Sequence, residues 1–245
     1  MIEGMLGMSF DKPVRHLIDY LEVLQPLLET GTVSYSGEAF TAHIDAGRPT
    51  ERAPSVMVAA LGEQLLKVAG HRTDGTILWM VGPRTVTEHI APRMIEAATA
   101  AGRGAPRIVC SLPTCVTDDA EAVRNAAASI FEIYGQLPSY RAMLDREGAR
   151  HPGDVAIIGT EEEVAQQLTG LADAGVTDFS ALEFGTSTDE FASRGGPPVQ
   201  GPAHDGRGSG TEAVMGNHPP HPEGQPVCRH LRHPAGRLLA HRISD

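Results

Sequence analysis

The stretch PSVMVAALGEQLLKVAGHRTDGTILWMVG, from Pro54 to Gly82, reads as strand, turn, helix, turn, strand. Val56 to Ala60 and Ile77 to Val81 are short apolar runs. Between them, Gly62 opens a helix whose Leu65, Leu66, Val68 and Ala69 form an apolar face, and Gly70 closes it. Strands that are apolar on both faces and joined by a helix specify a parallel sheet covered by helices. Such sheets place ligands at the carboxyl ends of their strands. Two segments are therefore the candidate ligand walls: Ala60, Leu61 and Gly62, and Trp79, Met80, Val81 and Gly82.

The same alternation runs outward from this block. Upstream, Asp11 is a predicted N-cap with Pro13 in the first turn. Val14, Leu17, Leu21, Leu24 and Leu28 follow at helical spacing, Pro26 is expected to kink that helix, and Gly31 ends it. TVSYSGEAF, Thr32 to Phe40, alternates around Ser36-Gly37 and predicts a hairpin. Downstream, Thr85 to Ala101 is helical, and Ile108 to Thr114 reads as a strand whose end Pro113 limits. Asp118 or Asp119 caps a helix carrying Val123, Ala127 and Ile130, and a further piece runs from Ser139 to Glu147. Thr160 and Glu163 form a capping-box pattern before Val164, Leu168 and Leu171. Gly175 stops that helix, and Val176 to Phe184 is the last strand. Four core strands result, near Val56, Ile77, Ile108 and Val176.

Beyond Arg194 the pattern disappears. The last 52 residues hold 9 Gly and 8 Pro, too many breakers for a packed helix or strand layer, and six Arg stand against four acidic residues. The chain divides into an α/β domain, 1–192, and a tail, 193–245, expected to be disordered. Cys228, His230, His233 and His241 in the tail do not have structural zinc spacing. No metal site is expected.

Composition narrows the function classes. A net charge of −11 argues against a nucleic-acid binder, which needs a basic patch. No apolar run approaches the ~18 residues of a membrane span. The N-terminus lacks the basic start of a signal peptide, so a cytoplasmic protein is expected. Three cysteines are too few for a disulfide framework; Cys110 and Cys115 read as ordinary thiols. No catalytic triad, GxSxG elbow, P-loop or GxGxxG occurs. Asp74-Gly75 reads as turn chemistry, and the acidic run Glu161 to Glu163 as dipole complementation. Arg84 stands where it meets either solvent or a phosphate, and His71 follows a helix end.

Taken together, the motifs resemble the luciferase-like monooxygenase superfamily, and within it the branch using the deazaflavin coenzyme F-420. The resemblance is carried by Ala59-Ala60-Leu61-Gly62, Ala69-Gly70 and Asp74-Gly75, then by HLIDYLEVLQPLLETG, SYSGEAF, Ala100 to Arg103, and GTEEEVAQQLTGLADAGVTDF. It runs from about Ile2 to Glu190. It implies a partial (β/α)8 barrel, roughly the second half, strands five to eight with their helices. The first four strands would then precede Met1, and a final apolar helix would stand where the tail begins, so a shifted reading frame after Ala192 is expected.

The resemblance further implies an oxidoreductase that transfers a hydride between F-420 and a small organic substrate. Ala60, Leu61 and Gly62 would approach the coenzyme's phosphate or ribityl chain, with Trp79, Met80, Val81 and Gly82 as the adjoining wall. The alternatives are an FMN-dependent monooxygenase of the same superfamily, or an inactive remnant. A half-barrel exposes open sheet edges, so homo-oligomers through those edges are also expected.

Overall fold

The structure, a computed structural model, describes residues 7, 11–47, 52–184 and 241–242. The tail expected over 193–245 lies outside the described residues, apart from two positions. Helix α1 (Pro13–Thr30) leads into a hairpin of β1 (Thr32–Ser36) and β2 (Thr41–Asp45). The units that follow are β3 (Met57–Ala59), α2 (Glu63–Arg72) and β4 (Gly75–Trp79). A continuous helical segment comes next: α3 (Pro83–Thr85), a π turn (Val86–Ile90) and α4 (Ala91–Ala100). Strand β5 (Arg107–Val116) precedes α5 (Ala120–Ile130), α6 (Glu132–Gln136) and α7 (Pro138–Glu147). The chain closes with β6 (Ile157–Gly159), α8 (Glu161–Asp173), β7 (Asp178–Glu183) and β8 (His241–Arg242).

Strands β3, β4, β5 and β7 are parallel neighbours in chain order, β6 also pairs with β5, and β8 adds antiparallel to β7. The sheet therefore has one parallel strand more than the four expected. Ile157-Ile158-Gly159 is too short for a periodicity to show. Thr114 pairs with Ile157 of β6 and with Glu183 of β7, so these strands lie on opposite edges of β5. On the β6 side, β4 ends opposite Ser111 and β6 begins opposite Thr114. Pro113 falls in the gap between them, where a missing N–H loses no ladder bond on that edge. That is why the strand continues through Pro113 instead of ending there.

The two faces of the sheet differ. Leu78, Cys110 and Leu112 are fully buried beneath the helices. Ile77, next to Leu78, is 44% exposed, and Val109, which pairs with it, is half-buried. The helix-covered face carries the core, and the other face is the more open.

Local chemistry accounts for several boundaries. Helix α2 passes through Gly70 and ends at Arg72, contrary to the expected stop. A Cβ at Gly70 would lie 2.6 Å from the Met94 carbonyl, so this glycine lets α2 and α4 approach closely. Lys12, not Asp11, takes the cap position of α1, and that helix runs unbroken through Pro26 to Thr30. The hairpin turns at Gly37, whose N–H donates to the Phe40 carbonyl, and its second strand lies beyond Phe40. Buried Asp19 accepts from the Ala39 N–H and the Tyr35 hydroxyl, both at 2.7 Å, which ties the hairpin to α1. The Ala39 amide is the main cause holding its carboxyl below the usual range. Asp119 caps α5, and Thr160 with Glu163 forms the expected capping box of α8.

Candidate functional site

The two candidate segments lie side by side because β3 and β4 pair in register, Ala59 opposite Ile77. Each strand end turns through a glycine into a helix: Gly62 precedes α2, and Gly82 precedes α3. The first N–H groups of a helix lack intrahelical partners and attract anions. The two turns use this property differently.

At Gly62 no side chain caps the helix, and a Cβ there would meet nothing within 4 Å. Ala60 is buried, Leu61 is half-buried and Gly62 is exposed. Gly62 borders a cavity of about 730 Å3 between α2 and α4, with Lys67, Arg93 and Glu96 in its lining. At Gly82, by contrast, a carboxylate of the chain itself is in place. Glu147, the last residue of α7, accepts from the Thr85 N–H at 2.7 Å and from the Arg84 N–H at 3.2 Å. Its Oε1 would sit 2.5 Å from a Cβ on residue 82, so any side chain there would push the carboxylate out of place. Arg84 turns to Glu88, 3.1 Å away, and stands exposed.

The rest of the second wall is tightly built. Met80 is fully buried with φ 55, a left-handed conformation that costs a side-chain-bearing residue roughly 1–2 kcal/mol. Val81 is buried, and its carbonyl accepts from the Cys110 thiol at 3.4 Å. Burial pushes that thiol up to about 12, so Cys110 is neutral and is no nucleophile. Trp79 lies edge-on to Phe131 and Tyr134, with centroids 5.9 and 5.7 Å away. Phe184 and Tyr140 extend this aromatic cluster. The Trp79 indole N–H is buried without a hydrogen-bond partner.

His89, a few residues beyond the second wall, reaches the first. It lies in the π turn, is 3% exposed, and its Nε2 is 2.8 Å from the Leu61 carbonyl. Burial is the main cause lowering its pKa, with Arg146 and Arg93 acting in the same direction. Periodicity did not single out His89, because a histidine between Val86 and Ile90 reads as part of an apolar helix face. Glu147 was equally invisible as a partner of Gly82. The residues placed away from both walls are His71, in the last turn of α2, and Asp74, which accepts from the Val56 N–H and pairs with Arg103. Among the described residues, no cluster of His, Cys, Asp and Glu is arranged to hold a metal, and no helix is long and apolar enough to cross a membrane.

Comparison with known proteins agrees with this architecture. Residues 1–178 match the model of the luciferase-like monooxygenase family, and the chain belongs to that family. It is 28% identical over 162 residues to an uncharacterized protein of Mycobacterium tuberculosis, covering 60% of this chain and 48% of that one. It is 26% identical over 212 residues to 5,10-methylenetetrahydromethanopterin reductase of Archaeoglobus fulgidus, covering 72% and 62%. The chain thus spans about half to three-fifths of the length of these curated relatives. The solved coenzyme F-420-dependent tetrahydromethanopterin reductase of Methanopyrus kandleri superposes with a TM-score of 0.61 at 18% identity, covering 78% of this chain and 67% of that one. At that identity the match speaks for the fold: a parallel α/β sheet corresponding to part of the luciferase-like barrel.

Proposed function

We propose that this chain carries one wall of a coenzyme F-420 site, in an oxidoreductase that passes a hydride between F-420 and a small organic substrate. The observation that carries the reading is the open Gly62 turn at a strand end. Its helix amides are uncapped, and its Leu61 carbonyl is bonded by His89 of the π turn. The residues fit a coenzyme with an anionic arm, because Gly62 leaves room for a phosphate against the first-turn amides of α2. The Archaeoglobus reductase and the Methanopyrus F-420-dependent enzyme support the choice of coenzyme.

When bound, F-420 supplies a ring that takes up or releases a hydride. The protein's part is to bind and orient. Leu61 and Gly62 would hold the anionic arm. Trp79, Met80, Val81 and Gly82 would form a rigid side wall, with Glu147 preventing a second anion from binding at the α3 amides. Met80 and Val81, both buried, keep water from that side of the wall. The substrate would lie over the open sheet face near Trp79, whose aromatic cluster offers apolar surface.

A fluorescence titration of the full chain with oxidised F-420, reduced F-420 and FMN tests this. Saturable binding of F-420 that Gly62→Asp abolishes is expected. Binding of FMN in place of F-420 would move the chain to the family's flavin monooxygenases. Binding of none of the three would leave the chain without the proposed activity.

A further inference from the structure

We propose that His89 is the positioning residue of the Leu61–Gly62 turn, acting as a neutral imidazole that carries its proton on Nε2. The proposal rests on the reading of that turn as an anion-binding element, and it adds the device that holds the turn in place.

The tautomer follows from the contact. A carbonyl oxygen can only accept, so the ring nitrogen 2.8 Å from the Leu61 carbonyl must donate. Nδ1 is buried and has no hydrogen-bond partner. A second proton there would be a buried donor with nothing to meet, which costs far more than an exposed one. The charged groups around the ring oppose protonation on balance: Arg93 on its own helix and Arg146 on α7 disfavour it, and Glu63 on α2 favours it.

The π turn places the ring. The Ala91 N–H reaches back to the Val86 carbonyl, one residue further than an α-helix allows. Pro92 has no N–H to give, so the Glu88 carbonyl four residues back receives no bond from it. The Arg93 guanidinium reaches the Glu88 carbonyl at 3.5 Å and donates to the His89 carbonyl at 2.9 Å. Arg93 Nε also lies 3.8 Å from the Glu63 carboxylate. His89 in the π turn thus bonds position 61, and Arg93 at the start of α4 lies near position 63, on either side of a glycine that no side chain caps. Single-turn π features recur at functional sites, and here the wide turn aims a side chain at the neighbouring loop.

Isotope-labelled full-length protein tests this in three measurements: the imidazole nitrogen–proton spectrum, exchange of the Leu66 amide, whose N–H donates to the Gly62 carbonyl, and the F-420 dissociation constant. The expected spectrum is the Nε2–H tautomer, protected from exchange at neutral pH. His89→Ala should speed exchange of the Leu66 amide, which donates to the Gly62 carbonyl, by about tenfold, the equivalent of one hydrogen bond of ~1.4 kcal/mol, and should weaken F-420 binding. His89→Gln, whose amide can donate to the same carbonyl, should restore both. An Nδ1–H tautomer, unchanged exchange in His89→Ala, or His89→Gln matching His89→Ala would overturn the proposal. If His89→Ala does not fold, the wild-type tautomer and the exchange and affinity of His89→Gln, both wild-type-like if the proposal holds, decide it. If wild type binds no F-420 yet His89→Ala loosens the turn, the coenzyme reading falls and the positioning role stands.

Discussion

Gly62 and Gly82 hold equivalent places in successive strand-to-helix units, and the protein treats them in opposite ways. At Gly82 the helix start is filled by the Glu147 carboxylate, from 65 residues downstream of the glycine. At Gly62 it is left uncapped beside a cavity. A filled helix start contributes to stability, and an open one is available to a ligand. The same backbone device thus serves the fold at one strand end and is kept free for binding at the next.

Substitutions at the two turns separate these roles. The largest effect is expected from Gly82→Ala, which drives a Cβ into Glu147 and displaces the cap. A loss of about 3 kcal/mol in urea unfolding is expected, from overpacking plus lost charged hydrogen bonds. Glu147→Ala removes the cap without a clash and should cost about 2 kcal/mol. The two changes touch the same contact, so the double variant should fall near Glu147→Ala alone; additive losses would show that Gly82 is constrained by something else. Gly62→Asp should raise stability by about 0.5–1 kcal/mol, because its side chain supplies the missing cap. Calorimetry should then show coenzyme binding lost, since the cap occupies the anion position.

The smallest effect is on pH dependence. The folded-state pKa of His89 lies below the unfolded value of about 6.5. As pH falls below that value the unfolded chain takes up a proton that the folded chain resists, so this residue makes stability decline from about pH 6.5 downward. His89→Gln should flatten that part of a plot of urea midpoint against pH. A slope unchanged by the substitution would assign it to another group.

Much of this contrast could be read from the sequence. The β3–α2–β4 block was legible because its apolar runs are bounded by Gly62 and Gly75, and the capping box at Thr160 because its spacing is local. Residues 60–62 and 79–82 were legible as strand ends, and the structure sets them side by side. What differed about them was not legible. Glu147 is an ordinary helix-terminal acid until the fold carries it to Gly82. The π turn leaves no period, although Pro92 inside the helical pattern marked a lost donor. Gly70 looked like a stop because a glycine in a helix usually marks an end; only the closeness of α4 shows why it sits in the interior. Strand β6 was missed because three residues carry too little pattern, and Pro113 seemed a terminator because the gap between β4 and β6 exists only in the assembled sheet.

Strand β5 has a consequence for the order of assembly. The first half of one edge is satisfied by β4, just before it in the chain; β6 completes that edge, and β7, brought in from further still, satisfies the other. Closing the shorter loop costs less entropy, and contacts of short sequence separation form faster. The block from β3 to β5, with both strand-end turns inside it, can therefore gather while β7 is still unpaired. The part of the chain that holds the proposed coenzyme wall would be the first to take shape, and the second edge of β5 would close last.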